Sequence, residues 1–136
     1  MRLTLLIFSL VIASVMAVVQ YIALVEYWYW QYWWLDIAMH AAGGALLMCI
    51  GLALGLRRAL ALIVFVGGIS LAWEVYEFAL GISVHEEAFL SDTTLDLVMD
   101  TLGALVVYGM MRQWLRSQLP LPAVHGVSPG QTSSSP

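Results

Sequence analysis

The chain has 136 residues, of which 62% are hydrophobic and only 10% are charged. A charged fraction this low is atypical of a soluble domain of this length. The composition therefore predicts an integral membrane protein with a single domain. We expect no nucleic acid as a partner, and the single cysteine, Cys49, excludes a disulfide framework.

Four apolar segments are each long enough to cross a bilayer, which takes about 20 helical residues. They cover approximately residues 3–25, 34–55, 59–80 and 93–115. The first segment continues too far for a cleaved signal peptide, so we expect it to be retained. The sequence therefore predicts an all-α, four-transmembrane-helix bundle over residues 1–116.

Glycines in these segments predict positions where helices approach one another closely. They are Gly43, Gly44, Gly51, Gly55, Gly67, Gly68, Gly103 and Gly109.

All basic residues of the chain are arginines, and the segment boundaries put them at one end of the predicted bundle. By the positive-inside rule this end is cytoplasmic, and both termini are then cytoplasmic too. Residues 117–136 are rich in proline, serine and glycine, which predicts a disordered cytoplasmic tail. The arginines are Arg2, Arg57, Arg58, Arg112 and Arg116.

Two loops are expected at the opposite, outer face. Residues 26–33 form a run of tryptophan and tyrosine, which is typical of an aromatic belt at headgroup depth. A sugar-stacking or lipid-headgroup platform is the alternative for this run. Residues 81–92 form the second loop, in which His85, Glu86 and Glu87 could close over a site.

Three of the four segments each carry a stripe of acidic or imidazole side chains near the outer face. A spacing of three or four residues puts the members of a stripe on one face of a helix. At about 1.5 Å rise per residue, the stripes fall into two layers at matching depths below the outer helix ends. The stripes are Asp36 and His40 on the second segment, Glu74 and Glu77 on the third, and Asp92, Asp96 and Asp100 on the fourth.

An ionised carboxylate inside an apolar segment is strongly disfavoured without a counter-charge, and no arginine of this chain can reach these acids. One explanation is a divalent metal ion, because carboxylates with one imidazole suit Mg²⁺, Mn²⁺, Zn²⁺ or Fe²⁺. The alternatives are protonated, hydrogen-bonded carboxyl groups and a cation from a partner protein. For Asp36 and Asp92 helix capping competes with a ligand role. The predicted metal ligands are Asp36, His40, Glu74, Glu77, Asp96 and Asp100.

The chain resembles the YjdF-like family of bacterial inner-membrane proteins and, more distantly, the VanZ-like proteins. The resemblance implies a compact multi-pass protein of the bacterial inner membrane and does not name a reaction. It is carried by Trp34-x-Asp36-x-x-x-His40-x-x-Gly43-Gly44, by Trp73-Glu74-x-x-Glu77, and by Ser91-Asp92-Thr93-x-x-Asp96-x-x-x-Asp100-x-x-Gly103-Ala104.

Three functions are compatible with these features. The first is an outward-facing, metal-dependent hydrolase of a membrane lipid or envelope precursor, with Glu74 or Asp100 as catalytic general base. The second is a component for cation or proton translocation, since acids at depth mark such pathways. The third is a non-catalytic accessory subunit that binds a membrane protein partner or forms a homo-oligomer.

Overall fold

The computed structural model describes residues 2–80 and 89–117, which form helices and, within these ranges, no strand. All of the helices except the short α2 are long and apolar enough to cross a membrane. The prediction of an all-helical membrane protein with four candidate spans is therefore confirmed. The predicted cytoplasmic tail and the segment with His85, Glu86 and Glu87 lie outside the described residues. The helices are α1 (Arg2–Val25), α2 (Trp28–Gln31), α3 (Trp34–Ala53), α4 (Ala59–Leu80) and α5 (Phe89–Ser117).

The helix starts differ from the sequence-based expectation in a way that matters for the acids. Helix α5 begins at Phe89 and not near residue 93, so Asp92 lies in its first turn and is not its N-cap. Helix α3 has Trp33 as its N-cap, which leaves Asp36 in the first turn as well. Helix capping, which competed with a ligand role for both acids, is therefore found at neither Asp36 nor Asp92. A carboxylate in a first turn interacts favourably with the helix dipole without capping it.

Helix α3 is central, because it packs against α1, α4 and α5, and its contact with α5 is the most extensive in the bundle. This contact depends on two glycines. A Cβ atom on Gly44 would overlap the carbonyl oxygen of Asp100, and a Cβ atom on Gly103 would overlap the carbonyl oxygen of Ala41. The two helices run in the same direction with their backbones touching, which brings the polar stripes of α3 and α5 together.

The other glycines divide into two groups. Gly51 packs closely against α4, and Gly55 ends α3 with a positive φ of 90°. The backbone N–H groups of Gly55 and Leu56 bond back to the carbonyls of Leu52 and Gly51, which is a Schellman motif. By contrast, no described neighbour lies within 4 Å of a Cβ atom built on Gly67, Gly68 or Gly109, so the close approach predicted at these positions is not found.

The apolar core fills the end of the bundle opposite to the acids. The guanidinium of Arg2 lies beside Gly55, so the start of α1 and the α3–α4 connection share this end. Large apolar side chains on the outer faces of the helices remain exposed, as expected for surfaces in contact with lipid. The core consists of Leu5, Met48, Cys49, Leu52, Ala53, Leu62, Val66 and Ala104.

The contact between α3 and α5 predicts a strong positional effect of alanine. Gly103→Ala forces the backbones apart, so we expect it to lower the stability of the detergent-solubilised protein by about 1–3 kcal/mol. The matched variant Gly67→Ala adds the same methyl group to open space and should leave the stability unchanged or raise it by about 0.5–1 kcal/mol. Thermal unfolding followed by circular dichroism measures both; equal effects of the two substitutions would contradict the described interface.

Candidate metal centre

The imidazole of His40 lies at the meeting point of α3, α4 and α5. Its Nε2 atom faces one carboxylate oxygen from each helix: Asp36 Oδ1 at 3.9 Å, Glu74 Oε1 at 4.0 Å and Asp96 Oδ1 at 3.8 Å. His40 is buried, as are Glu74 and Asp96. Residues that are far apart in the chain thus converge on a single nitrogen atom inside the bundle.

The other ring nitrogen of His40 has a different partner. Nδ1 lies 3.4 Å from Asp100 Oδ2, and this contact is a hydrogen bond between two buried side chains. When Nδ1 carries the proton and donates it to Asp100, Nε2 presents its lone pair to the three other carboxylates. A carboxylate behind the ring is the usual arrangement for a metal-binding histidine, because it fixes both the tautomer and the ring orientation.

The oxygens around Nε2 are close to it but are not hydrogen-bonded to it. At 3.8–4.0 Å they lie beyond hydrogen-bond distance. Asp96 Oδ1 and Glu74 Oε1 are buried and have no hydrogen-bond partner. Metal ions bind such atoms at about 2.0–2.2 Å, so two ligands of one ion lie roughly 3–4 Å apart. The distances from Nε2 to these oxygens therefore suit an ion that lies between Nε2 and neighbouring carboxylates better than direct hydrogen bonds.

Two sets of side chains have the geometry of ligands. Within each set, one ligand atom from every residue lies within 4.8 Å of the others. The first set is Asp36, His40 and Asp96, and the second is His40, Glu74 and Glu77. Asp100 belongs to neither set among the described residues, because it lies on the Nδ1 side of the ring. Of the five ligands predicted besides His40, the structure brings four around His40 Nε2 or next to it and places Asp100 beside Nδ1.

The acidic side chains of the site differ in how exposed they are. The side chain of Asp36 is 42% exposed, whereas that of Asp96 is 3% exposed. Tyr29 of the short helix α2 donates a hydrogen bond to Gln20 of α1. Burial, together with the nearby carboxylate of Asp36, raises the pKa of the Tyr29 hydroxyl above its ordinary value. Among the described residues whose carboxylates face His40 Nε2, Asp36 is thus the accessible one.

Ser70 lies one helical turn below Glu74 on α4, and its buried hydroxyl has no partner. Hydroxyl groups in membrane helices commonly donate to the carbonyl four residues earlier. Ser9, Thr94 and Thr101 do so here, at 2.6–2.9 Å. The Ser70 hydroxyl makes no such bond, so it retains its hydrogen-bonding capacity on the same face of α4 as Glu74.

Within the described residues, His40 is the side chain of this cluster that could carry a positive charge, and it does so only if both ring nitrogens are protonated. Every ion pair there is a contact of His40 with Asp36, Glu74, Asp96 or Asp100. The exposed Arg57 and Arg58 follow the far end of α3. The acidic cluster therefore keeps a large excess of negative charge if its carboxyl groups are ionised.

An internal repeat in the sequence relates the polar stripes of α3 and α5. The pattern Leu-Asp-x-x-Met-x-x-x-Gly occurs at residues 35–43 and again at residues 95–103. It aligns Asp36 with Asp96 and His40 with Asp100. In the structure these equivalent acids lie at nearly equal distances from His40 Nε2, 3.9 Å and 3.8 Å. Comparison of the two segments with each other would have predicted that they pair side by side.

The sequence profile of a family of predicted membrane proteins, DUF2238, matches residues 1–117. The chain belongs to this family, and the resemblance to YjdF-like proteins is consistent with that membership. The more distant resemblance to VanZ-like proteins stays a prediction. A search of curated proteins and a search of solved structures each gave no significant match.

The unpartnered oxygens predict that the cluster lowers the stability of the metal-free protein. Asp96→Asn removes a carboxylate that the bundle does not compensate, so in the presence of a chelator we expect it to raise the stability by about 1–3 kcal/mol. Thermal unfolding in detergent with EDTA measures this difference. The control is Glu26→Gln, an exposed position outside the cluster, which should have no effect. Destabilisation by Asp96→Asn under these conditions would mean that the carboxylate is satisfied within the chain.

Proposed function

We propose that this member of the DUF2238 family binds a divalent metal ion between α3, α4 and α5 and uses it to hydrolyse a lipid or envelope substrate at the membrane surface. One observation carries the proposal. His40 Nε2 faces three carboxylate oxygens at 3.8–4.0 Å, and two of these oxygens are buried without a partner.

The first set of ligands, Asp36, His40 and Asp96, supplies the binding groups. Two carboxylates and one imidazole suit Mg²⁺, Mn²⁺, Zn²⁺ or Fe²⁺. The two acids come from equivalent positions of the repeat and approach Nε2 from α3 and α5. The hydrogen bond between Asp100 and Nδ1 holds the ring with Nε2 toward them.

Charge compensation by protons is less well supported. Neutral carboxyl groups in an apolar bundle are expected to donate and accept hydrogen bonds among themselves, because an unpaired polar group there is costly. Asp96 Oδ1 and Glu74 Oε1 make no such bonds. A basic side chain from a partner protein would have to enter past Asp36 to reach two residues that are buried behind it. A small ion fits this space better than either alternative.

A bound divalent cation would supply Lewis acidity and an activated water at neutral pH. The chain must then provide a group that accepts a proton. Glu74 is suited to this role, because its Oε1 lies 4.0 Å from His40 Nε2 and has no other partner. Asp100 is less suited, since its carboxylate is engaged with Nδ1. Of the two predicted general bases, the geometry favours Glu74.

The surroundings of the opening favour an amphipathic substrate. Asp36 is the exposed member of the site, and the aromatic run over residues 26–33 precedes it directly. Trp30 and Trp33 are exposed there, as expected for rings at headgroup depth. If the arginine-bearing end is cytoplasmic, the opening faces outward. A lipid or lipid-linked envelope precursor could then keep its chains in the bilayer and present its polar bond to the site.

The apolar end of the bundle favours catalysis over translocation. Below Ser70 and Asp100, the described core consists of apolar side chains such as Leu52, Leu62 and Val66. Ser9, a polar residue at that depth, donates its hydroxyl to the backbone of its own helix. A transported ion would lack ligands along this half of the path. Translocation and an accessory role stay alternatives that the experiments below distinguish.

Metal binding is tested first. We expect the purified full-length chain to bind Mn²⁺ or Zn²⁺ and to gain about 2.7 kcal/mol of stability when the ion is present at 100 times its dissociation constant. Elemental analysis after gel filtration and thermal unfolding measure the two effects. His40→Ala and Asp96→Asn should abolish both, whereas Glu26→Gln should retain both. Absence of a bound metal together with unchanged thermal stability would exclude the proposed function.

Turnover is tested with phospholipids and lipid-linked phosphates in detergent micelles. Glu74→Gln should reduce hydrolysis by about 10²–10⁴-fold, because the proton acceptor is lost, while the fold and the ion at His40 remain. Product formation followed by mass spectrometry is the measurement. Hydrolysis that is unaffected by Glu74→Gln would contradict the assigned role. Metal binding without any hydrolysis, combined with cation flux into proteoliposomes, would favour translocation instead.

A further inference from the structure

We infer that the centre holds a second divalent cation on its α4 side, bound by Glu74 and Glu77. This inference rests on the proposed function, because it adds a second ion to the same cluster. It starts from the two sets of candidate ligands, which share His40 but otherwise come from different helices. Asp36 and Asp96 belong to the repeat on α3 and α5, whereas Glu74 and Glu77 both project from α4.

One imidazole cannot serve both positions with the same atom. Nδ1 of His40 is engaged with Asp100, so only Nε2 is free to bind an ion. Asp36 and Asp96 lie symmetrically about Nε2 and complete the first position. The second position therefore consists of the two glutamates and the water that its ion retains, which is a usual arrangement for an oxygen-seeking divalent cation.

Each position contains its own unpartnered ligand atom. In the first it is Asp96 Oδ1, on a residue that is 2% exposed, and in the second it is Glu74 Oε1, on a residue that is 4% exposed. A single ion bound to Asp96 Oδ1 would satisfy that atom. It would not also satisfy Glu74 Oε1, because Asp96 and Glu74 belong to different ligand sets. The hydroxyl of Ser70, also buried and unpartnered, lies on the Glu74 face of α4 and can bind a water of the second ion.

The charge of the cluster supports two ions. Five carboxylates surround one imidazole, and the chain contains no lysine. One divalent cation leaves an excess of negative charge in a region that excludes water, whereas two come close to neutralising it. The cluster consists of Asp36, Glu74, Glu77, Asp96 and Asp100 around His40.

Glu77 is already oriented for binding. The indole Nε1 of Trp73 donates to Glu77 Oε1 at 2.9 Å, which fixes the carboxylate and leaves its other oxygen available. One oxygen of Glu74 would bind the second ion, which leaves the other oxygen of this carboxylate as the proton acceptor of the proposed reaction. Two-metal sites have separations of about 3.5–4 Å and activate both the attacking and the leaving oxygen in hydrolysis. A second ion here would thus assist the proposed reaction directly.

The test counts ions on the full-length protein in detergent, with Mn²⁺ as the probe. We expect two Mn²⁺ per chain for the unsubstituted protein and one for Glu77→Gln, with His40→Ala losing the ion at Nε2. Electron paramagnetic resonance adds an independent readout, because two Mn²⁺ at such a distance give an exchange-coupled spectrum. Glu77→Gln should convert this spectrum to that of isolated Mn²⁺. Glu26→Gln, outside the cluster, should keep two ions and the coupled spectrum.

The outcomes separate this inference from the proposed function. One Mn²⁺ per chain, unchanged by Glu77→Gln and without exchange coupling, would overturn the second cation and leave the first intact. No bound Mn²⁺ at all would overturn both. If Glu77→Gln does not yield folded protein, the spectrum of the unsubstituted protein still decides between one ion and two. Trp73→Phe, which removes the hydrogen bond to Glu77 and keeps an aromatic ring beside Tyr76, should then weaken binding of the second Mn²⁺ and not of the first.

Discussion

The backbones of α3 and α5 touch at Gly44 and Gly103, and the arrangement of the acidic end depends on that contact. It brings two parallel helices close enough for the side chains one turn away to meet inside the bundle. His40 is thereby placed between Asp96 and Asp100, with one ring nitrogen toward each. Helix α4 then needs to contribute only Glu74 to complete the group around Nε2.

Burial of these acids in an apolar environment is energetically unfavourable, which indicates that a ligand compensates for it. The cluster lies in helices that can span a membrane, where water is scarce and a buried charge needs a partner. Within the described residues the cluster contains one imidazole against several carboxylates, and Glu74 Oε1 and Asp96 Oδ1 have no hydrogen bonds. Proteins commonly keep such destabilising groups where a ligand compensates for them. This is the physical reason for relating the cluster to a metal ion.

The bundle is divided into two halves with different properties. The half with the acids contains the opening at Asp36 and the exposed tryptophans, whereas the other half is filled by apolar side chains. The exposed acid of the cluster, Asp36, therefore lies at the same end of the bundle as the aromatic run over residues 26–33. The described core beyond Ser70 is apolar, and the buried Ser9 beside it donates its hydroxyl to the backbone of its own helix.

The sequence by itself determined the class of the protein and the depth of its acids. Hydropathy identifies four spans, because a bilayer demands long apolar helices, and a rise of about 1.5 Å per residue places Asp36 and His40 near one helix end. Helix starts were less predictable: the apolar pattern alone could not show that α5 begins at Phe89, which moved Asp92 from a cap into the helix.

Only the tertiary structure decided the separate roles within the cluster. Spacing along a helix places Asp96 and Asp100 on the same face, but it does not say that one faces Nε2 and the other Nδ1. It also gave no reason to distinguish Gly103, which contacts Ala41, from Gly67, which faces open space. Such distinctions arise from the rotation of each helix about its axis and from the approach of its neighbours, and these are set by packing between residues far apart in the chain.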